Sequence, residues 1–147
     1  MTATALAANG HAPLISLADF HVLLADQHPF SMLLGIDVLH IGHGTAHAVL
    51  PARDTHQRLG GIVAGPMLMG LADLAMYAAV VGATGQAHAV TASLTINFLR
   101  KSPAGAIHAH ARLLKVGRLS AGEVMLTGEG SDEPVAHIVS TWSVPKP

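Results

Sequence analysis

The stretch Gly65-Pro66-Met67-Leu68-Met69-Gly70-Leu71-Ala72-Asp73-Leu74-Ala75-Met76-Tyr77-Ala78-Ala79-Val80 decides the fold. Proline at the first helical position, followed by a run of strong helix formers, predicts a helix, with Gly82 and Gly85 as stop signals. Apolar residues fall on every side of it, so the helix is expected to be buried all round. Its single charge is Asp73.

What lies on either side says what buries it. Downstream come four segments with period-2 character, residues 88–99, 106–115, 123–128 and 135–144. In the first, Leu94, Ile96 and Phe98 alternate with Ser93, Thr95 and Asn97; in the second, Ile107, Ala109, Ala111 and Leu113 alternate with His108, His110 and Arg112. Such alternation marks strands with one packed and one polar face. Turn residues separate them at Lys101-Ser102-Pro103, Gly117-Arg118 and Ser131-Asp132-Glu133-Pro134. Upstream, Ser16 is an N-cap candidate with Asp19 at the third helical position, and Leu17, Phe20, Leu23 and Leu24 share a face. His28-Pro29 closes that helix. Two strand-like segments, residues 33–40 and 45–50, follow around a hairpin connection at Gly42-His43-Gly44, and residues 53–61 read as a polar loop. An apolar helix among strands needs a sheet curled around it. The expectation is therefore α+β: an antiparallel sheet of five to six strands wrapped around one long central apolar helix, with a short N-terminal helix. Residues 1–15 form a flexible tail and residues 16–147 a single domain.

Composition narrows the function. The chain has 147 residues, enough for one domain with its own core. It lacks cysteine, which removes disulfides, thiolate metal sites and a thiol nucleophile. A net charge of −1 offers no electrostatic reason to bind nucleic acid. With only 12% charged residues and 50% hydrophobic ones, the chain reads as a subunit that buries area against copies of itself, as a dimer or a dimer of dimers. The N-terminal residues lack the basic start and apolar run of a signal peptide. The stretch 67–81 is interrupted by Asp73 and short for a bilayer span. The expected location is cytoplasmic, with no membrane partner.

Asp73 is the sharpest chemical feature. An unpaired buried charge costs several kcal/mol, so this carboxylate is compensated or faces a cavity, where perturbed acids serve as bases or nucleophiles. The helix start is the second feature, because free backbone N–H groups there can polarise a carbonyl oxygen. Pro66 has no N–H, which leaves those of Gly65 and Met67. Eight residues separate Gly65 from Asp73, about 12 Å along a helix. If both act on one reacting carbon, the carboxylate comes from a second subunit.

Residues Gly61-Ile62-Val63-Ala64-Gly65-Pro66-Met67-Leu68-Met69-Gly70-Leu71-Ala72-Asp73, with Thr91-Ala92-Ser93-Leu94-Thr95-Ile96-Asn97-Phe98-Leu99-Arg100, resemble the phenylacetate-pathway (PaaI-type) thioesterases of the hotdog fold. The resemblance spans about residues 30–144. It implies hydrolysis of a small or medium acyl-CoA, aromatic or aliphatic, to free acid and coenzyme A. Asp73 matches the family's carboxylate, acting as general base or nucleophile, and Gly65 matches the glycine whose N–H polarises the thioester. Thr91 falls where many members carry a hydroxyl that holds the attacking water. Arg100, Lys101, Lys115 and Arg118 are candidates for the coenzyme A phosphates, and Met67, Met69 and Leu71 for the acyl group, with Met76 as a further methionine near the pocket. No cofactor is implied, since coenzyme A belongs to the substrate.

The chain also departs from that family. Ala64 stands in place of its histidine, Pro66 in place of its second glycine and Arg58 in place of its asparagine. Arg58 is a candidate replacement cation near the carbonyl, or equally the mark of a site remodelled for another ligand. These departures motivate the alternative of a non-catalytic acyl-CoA-binding module. A dehydratase is the weaker third reading, because Ala64 sits where such an enzyme would carry its histidine. Eleven histidines raise the question of a metal, with His108, His110 and His137 the nearest to a ligand set. No cysteine or carboxylate cluster supports them, and no metal is expected. His56, close to the motif, is the better candidate for a role at the site.

Overall fold

Ser16 starts the first helix as expected: its side chain accepts from the Asp19 N–H at 3.0 Å, and helix α1 (Leu17–Gln27) presents Phe20 and Leu24 to the core. The computed structural model describes residues 10–147. Of the segment expected as a tail, residues 1–9 lie outside the described residues; Leu14 donates its N–H to the Gly82 carbonyl at 2.7 Å, and Ile15 packs against the core.

The next segment differs from expectation. Pro29 ends α1 but opens a second helix, α2 (Pro29–Leu34), so residues 33 and 34 are helical rather than extended. Proline suits the first position of a helix as well as the end of the one before it. Gly35, at φ +74°, closes α2, with the Arg53 guanidinium lying where a Cβ would be. Strands β1 (Asp37–Ile41) and β2 (Thr45–Leu50) then form the expected hairpin. The polar loop holds a short ribbon, β3 (Gln57–Arg58) with β4 (Ile62–Val63), that the sequence did not signal.

The central helix, α3, runs Gly65–Thr84. Gly82 does not stop it; Gly85, in the left-handed conformation, does. At 20 residues with a mean hydropathy of 1.6, α3 is long and apolar enough to cross a membrane, contrary to the shorter span expected, yet most of it is buried by sheet. Strands β5 (Val90–Phe98), β6 (Ile107–Lys115), β7 (Leu119–Gly128) and β8 (Pro134–Ser143) complete a six-stranded antiparallel sheet in the order β1-β2-β6-β7-β8-β5. β7 begins four residues earlier than the alternation suggested. The sheet wraps α3, which lies chiefly against β2, β6 and β7: this is the hotdog fold.

Small residues make that wrapping close. Ala72, Ala75, Ala78 and Ala79 of α3 face a sheet surface that includes buried Ala46, Ala48, Ala109, Ala111 and Ala136. A Cβ at Gly82 would overlap the Gly42 carbonyl oxygen of the β1–β2 turn, and one at Gly122 would overlap the Arg112 carbonyl and press on Met76. α3 is not buried all round, however. Pro66 and Met69 are exposed, and Gly70 and Asp73 are half-buried. These positions share one face at helical spacing, so the N-terminal half carries an open stripe while the C-terminal half is enclosed.

Gly82→Ala separates propensity from packing. Alanine gains about 1 kcal/mol over glycine inside a helix. Here the added methyl meets a backbone carbonyl that has no rotamer to change, and overpacking costs about 1–3 kcal/mol or more. With the methyl overlapping a backbone oxygen the cost falls at the upper end of that range, and the expected outcome is net destabilisation of roughly 2 kcal/mol, seen as a lower urea midpoint at unchanged slope.

Candidate active site

Asp73 lies where the open stripe of α3 meets the start of β5. The Thr91 hydroxyl donates to its Oδ1 at 2.6 Å, joining the two residues that the sequence had singled out. Burial pushes the Asp73 carboxyl above its ordinary value, and the Thr91 bond, which favours the charged form, pulls it partly back. A cavity of about 410 Å³ opens at this carboxylate, lined among others by His28, Phe30, Tyr77, Thr91 and Trp142. The α1–α2 junction forms one wall, so the unexpected helix α2 shapes the site.

The helix start forms a second centre. Ala64 occupies the N-cap position without a side-chain cap, and its own N–H donates to the His56 carbonyl at 2.8 Å. The Met67 N–H, one of the two expected donors, is spent on the Ala64 carbonyl at 3.0 Å. Pro66 has none to give. Among the described residues, the Gly65 N–H alone of these is left without a partner. A cavity of about 430 Å³ adjoins it, lined by Arg58, Gly65, Leu68, Phe98, Arg100 and Lys101 among others. The Phe98 ring lies 3.2 Å from where a Gly65 Cβ would be, so glycine lets the ring close over the helix start. His56, the histidine expected near the site, is 3% exposed and lines neither cavity; its Nδ1–H donates to the Pro51 carbonyl at 3.0 Å.

Asp73 and Gly65 thus line different cavities of the same subunit. The basic candidates divide as well. Arg58, Arg100 and Lys101 gather at the Gly65 cavity, although Arg100 also donates to the Pro134 carbonyl and pairs with Glu133 at 3.8 Å. Lys115 and Arg118 sit at the β6–β7 turn and line neither cavity; the Lys115 ammonium donates to the Leu119 carbonyl at 2.8 Å. The methionines differ from expectation too. Met76 is fully buried core, Met67 packs against the core and Met69 is exposed, and none of them lines either cavity of the single subunit.

Five of the histidines, His40, His47, His108, His110 and His137, go to the outer face of the sheet. His40, His47, His110, Met125, His137 and Asn97 pair in one row across all six strands. Nearby, His108 donates to Glu129 at 2.6 Å, His47 meets His108 at 2.8 Å and His137 donates to Glu123 at 2.8 Å. Among the described residues no three His, Asp or Glu side chains converge on a metal-sized site.

His28, Tyr77, Phe98 and Trp142 were not anticipated at the site. Tyr77 carried a signal, because it follows Asp73 by four residues and so shares its helix face. His28 and Trp142 are brought in by tertiary packing alone.

Comparison with known proteins agrees with this architecture. Residues 60–122 match the Thioesterase superfamily. A protein from a Silicibacter species described as a candidate thioesterase superposes with a TM-score of 0.83 at 31% identity, covering 94% of this chain and 97% of its own. A mutant of the phenylacetic acid degradation protein PaaI from Thermus thermophilus aligns at 29% identity and a TM-score of 0.72, covering 80% of this chain and 99% of its own. A conserved protein from Pseudomonas aeruginosa follows at 28% identity and 0.74, covering 79% and 93%. No curated protein matches the chain. The chain belongs to the thioesterase superfamily, as a PaaI-type member of the hotdog fold, and its chemistry is thioester hydrolysis.

The raised carboxyl of Asp73 has a consequence for stability. A folded-state pKa above the unfolded one favours the protonated form, so this group's contribution is fully present below the ordinary aspartate range and is lost as pH rises through the raised value. Asp73→Asn keeps an oxygen for Thr91 and removes the charge. It is expected to melt at a higher temperature than the native protein at pH 7, the gain vanishing at about pH 3.5, as followed by thermal scans across that range.

Proposed function

We propose that this chain hydrolyses a small or medium acyl-CoA thioester, aromatic or aliphatic, at a site shared by two subunits. Asp73 of one subunit takes a proton from water as that water attacks the thioester carbon. The carbonyl oxygen rests on the N–H of Gly65 of the partner subunit. Collapse of the tetrahedral intermediate breaks the C–S bond, and the proton held by Asp73 passes to the departing coenzyme A thiolate, leaving the free acid. A carboxylate with its pKa held up is suited to both transfers. Thr91 steadies Asp73 and the water. Arg58, Arg100 and Lys101 are the cations best placed for the coenzyme A phosphates, Arg58 near the carbonyl.

The observation that carries the reading is the pairing of a half-buried carboxylate with a donated hydroxyl on one cavity, while the one unpaired helix-start N–H opens on another. Neither cavity alone holds both halves of the chemistry, and a two-fold dimer brings them together. Two further features support such a dimer. β5 ends the sheet with nine residues and no charge or proline, an edge open to pairing beyond its own bulge between Thr91 and Ser93, whereas β1 at the other edge, bulged as well, has only five residues. The open stripe of α3 also leaves Pro66 and Met69 for a neighbour to cover.

Asp73→Asn is expected to lower turnover of a panel of aryl- and alkyl-acyl-CoAs at least about 100-fold, read as thiol release, with the dimer intact by light scattering. Saturable acyl-CoA binding without thiol release by the native protein would instead favour the binding-module reading.

Subunit sharing has its own test. Asp73→Asn and Gly65→Val subunits are each expected to be inactive as homodimers. Mixed and re-equilibrated in equal amounts, they are expected to recover about a quarter of native activity, because half the dimers are hybrids with one intact site each. A site confined to one subunit would recover none.

A further inference from the structure

Tyr77 is the only tyrosine of the chain, and the hydrolysis proposed above gives it no role. It is buried, yet its hydroxyl is fully used. The O–H donates to the Ala87 carbonyl at 2.7 Å. That spends its only proton, so the His28 Nε2 at 3.0 Å must be the donor to the Tyr77 oxygen. Burial lowers the His28 pKa, and the Tyr77 oxygen, having no proton left to give, sets the ring proton on Nε2. The His28 and Tyr77 ring centres are 4.8 Å apart, with Trp142 at 5.8 Å and Phe20 at 5.7 Å from Tyr77.

Ala87 lies in the connection between α3 and β5, and its position gives these bonds a meaning. Four residues before Tyr77 on the helix is Asp73; four residues after Ala87 is Thr91. The helix and the segment leading into β5 run antiparallel there, so Tyr77–Ala87 and Asp73–Thr91 are successive rungs of one ladder, about 6 Å apart along the helix. The Thr91 rung is a bond between two side chains, with Thr91 exposed, and holds only as well as its strand is placed. The Tyr77 rung grips backbone and fixes that placement. His28 adds a third member from the α1–α2 junction, which is also the wall of the cavity.

We infer that Tyr77 and His28 are positioning residues: together they clamp the α3–β5 connection so that the Thr91 hydroxyl stays on Asp73, and they tie the cavity wall to the carboxylate. The inference rests on the hydrolytic reading only in taking Asp73 as the base. Of the residues lining the cavity, those that titrate are Asp73 and Tyr77 from α3 and His28 from the junction; β5 and β8 contribute Val90, Thr91 and Trp142, which do not.

The test is the titration of Asp73 by carbon-13 NMR in the ligand-free protein, in parallel with the pH profile of kcat. Thr91→Val sets the full effect: loss of a donor to the charged form raises the Asp73 pKa and moves the acidic limb of the profile to higher pH. Tyr77→Phe keeps the ring in its packing and removes both bonds. It is expected to reproduce most of that rise, on the order of half a unit, and to lower kcat about tenfold with KM within about twofold. His28→Leu is expected to show part of the same rise, and His28→Gln, which retains a side-chain N–H, to recover it. An Asp73 titration in Tyr77→Phe equal to the native one, with the fold intact by circular dichroism, would overturn the clamp. So would His28→Leu and His28→Gln titrating alike, a pair that decides the matter even where Tyr77→Phe fails to fold. The NMR titration needs no turnover. A protein that hydrolyses no acyl-CoA yet shows these shifts would lose the hydrolytic reading and keep the clamp; active variants with unshifted titrations would do the reverse.

Discussion

Everything in this molecule depends on how closely α3 approaches the sheet. Alanines and glycines line both sides of the contact, so the helix backbone sits against strand backbone with little side-chain depth between them. Such a seam offers few large side chains to bury, and the bulky ones gather around it: Phe20, Leu50, Leu71, Met76, Ile107, Leu126 and Ile138 are all fully buried. At roughly 1.5–3 kcal/mol for each large apolar side chain, these supply the driving force, while the small residues decide where α3 can lie. A fixed helix then fixes the direction of Asp73 and the height at which Gly65 meets Phe98.

Much of this was legible from the chain. The apolar run from Pro66, the lone Asp73 within it and the alternation of residues 106–115 each report a physical demand that sequence cannot hide: a buried helix, a compensated charge, a one-sided strand. Thr91 was found through a family resemblance, and the structure sets its hydroxyl on Asp73. What was missed follows from contacts made over long sequence distances. Pro29 reads as a terminator in any local window, and only the packing of Leu34 and Phe30 near Gly70 shows it as the start of α2. Gly82 reads as a stop signal because glycine weakens helices; in the folded chain it is the residue that admits the Gly42 carbonyl. The Met67 N–H was a fair candidate until the Ala64 carbonyl claimed it. Phe98 belongs to an alternating apolar set, yet it is 54% exposed in the single subunit, because β5 is the last strand and covers little of α3.

α3 divides into two halves with different tasks. From Leu74 to Ala83 every residue is buried, and the strands close over the helix. From Gly65 to Asp73 one face is open; the cavity at Gly65 lies along that half, and the cavity at Asp73 spans its end and reaches Leu74 and Tyr77 of the enclosed half. The two proposed reacting groups, Asp73 and the Gly65 N–H, therefore belong to the open half, while the enclosed half carries the seam and supplies Tyr77 to the site. This arrangement lets Ala64, Pro66 and Arg58 depart from the family pattern without disturbing the seam that holds the fold.

The unfilled cap at Ala64 takes on a further sense in that light. A serine, threonine or aspartate there would ordinarily add about 1 kcal/mol to the helix by accepting one of the first N–H groups. Its oxygen would also bring a local acceptor, and for aspartate a negative charge, to the place where the proposed reaction gathers negative charge on the substrate. By leaving the position apolar, the chain brings no side-chain acceptor or negative charge of its first turn to the positive end of the α3 dipole. The helix is held in place by its enclosed half strongly enough to forgo that cap, and the field at its start is left to act on whatever anion or polarised oxygen is brought to it.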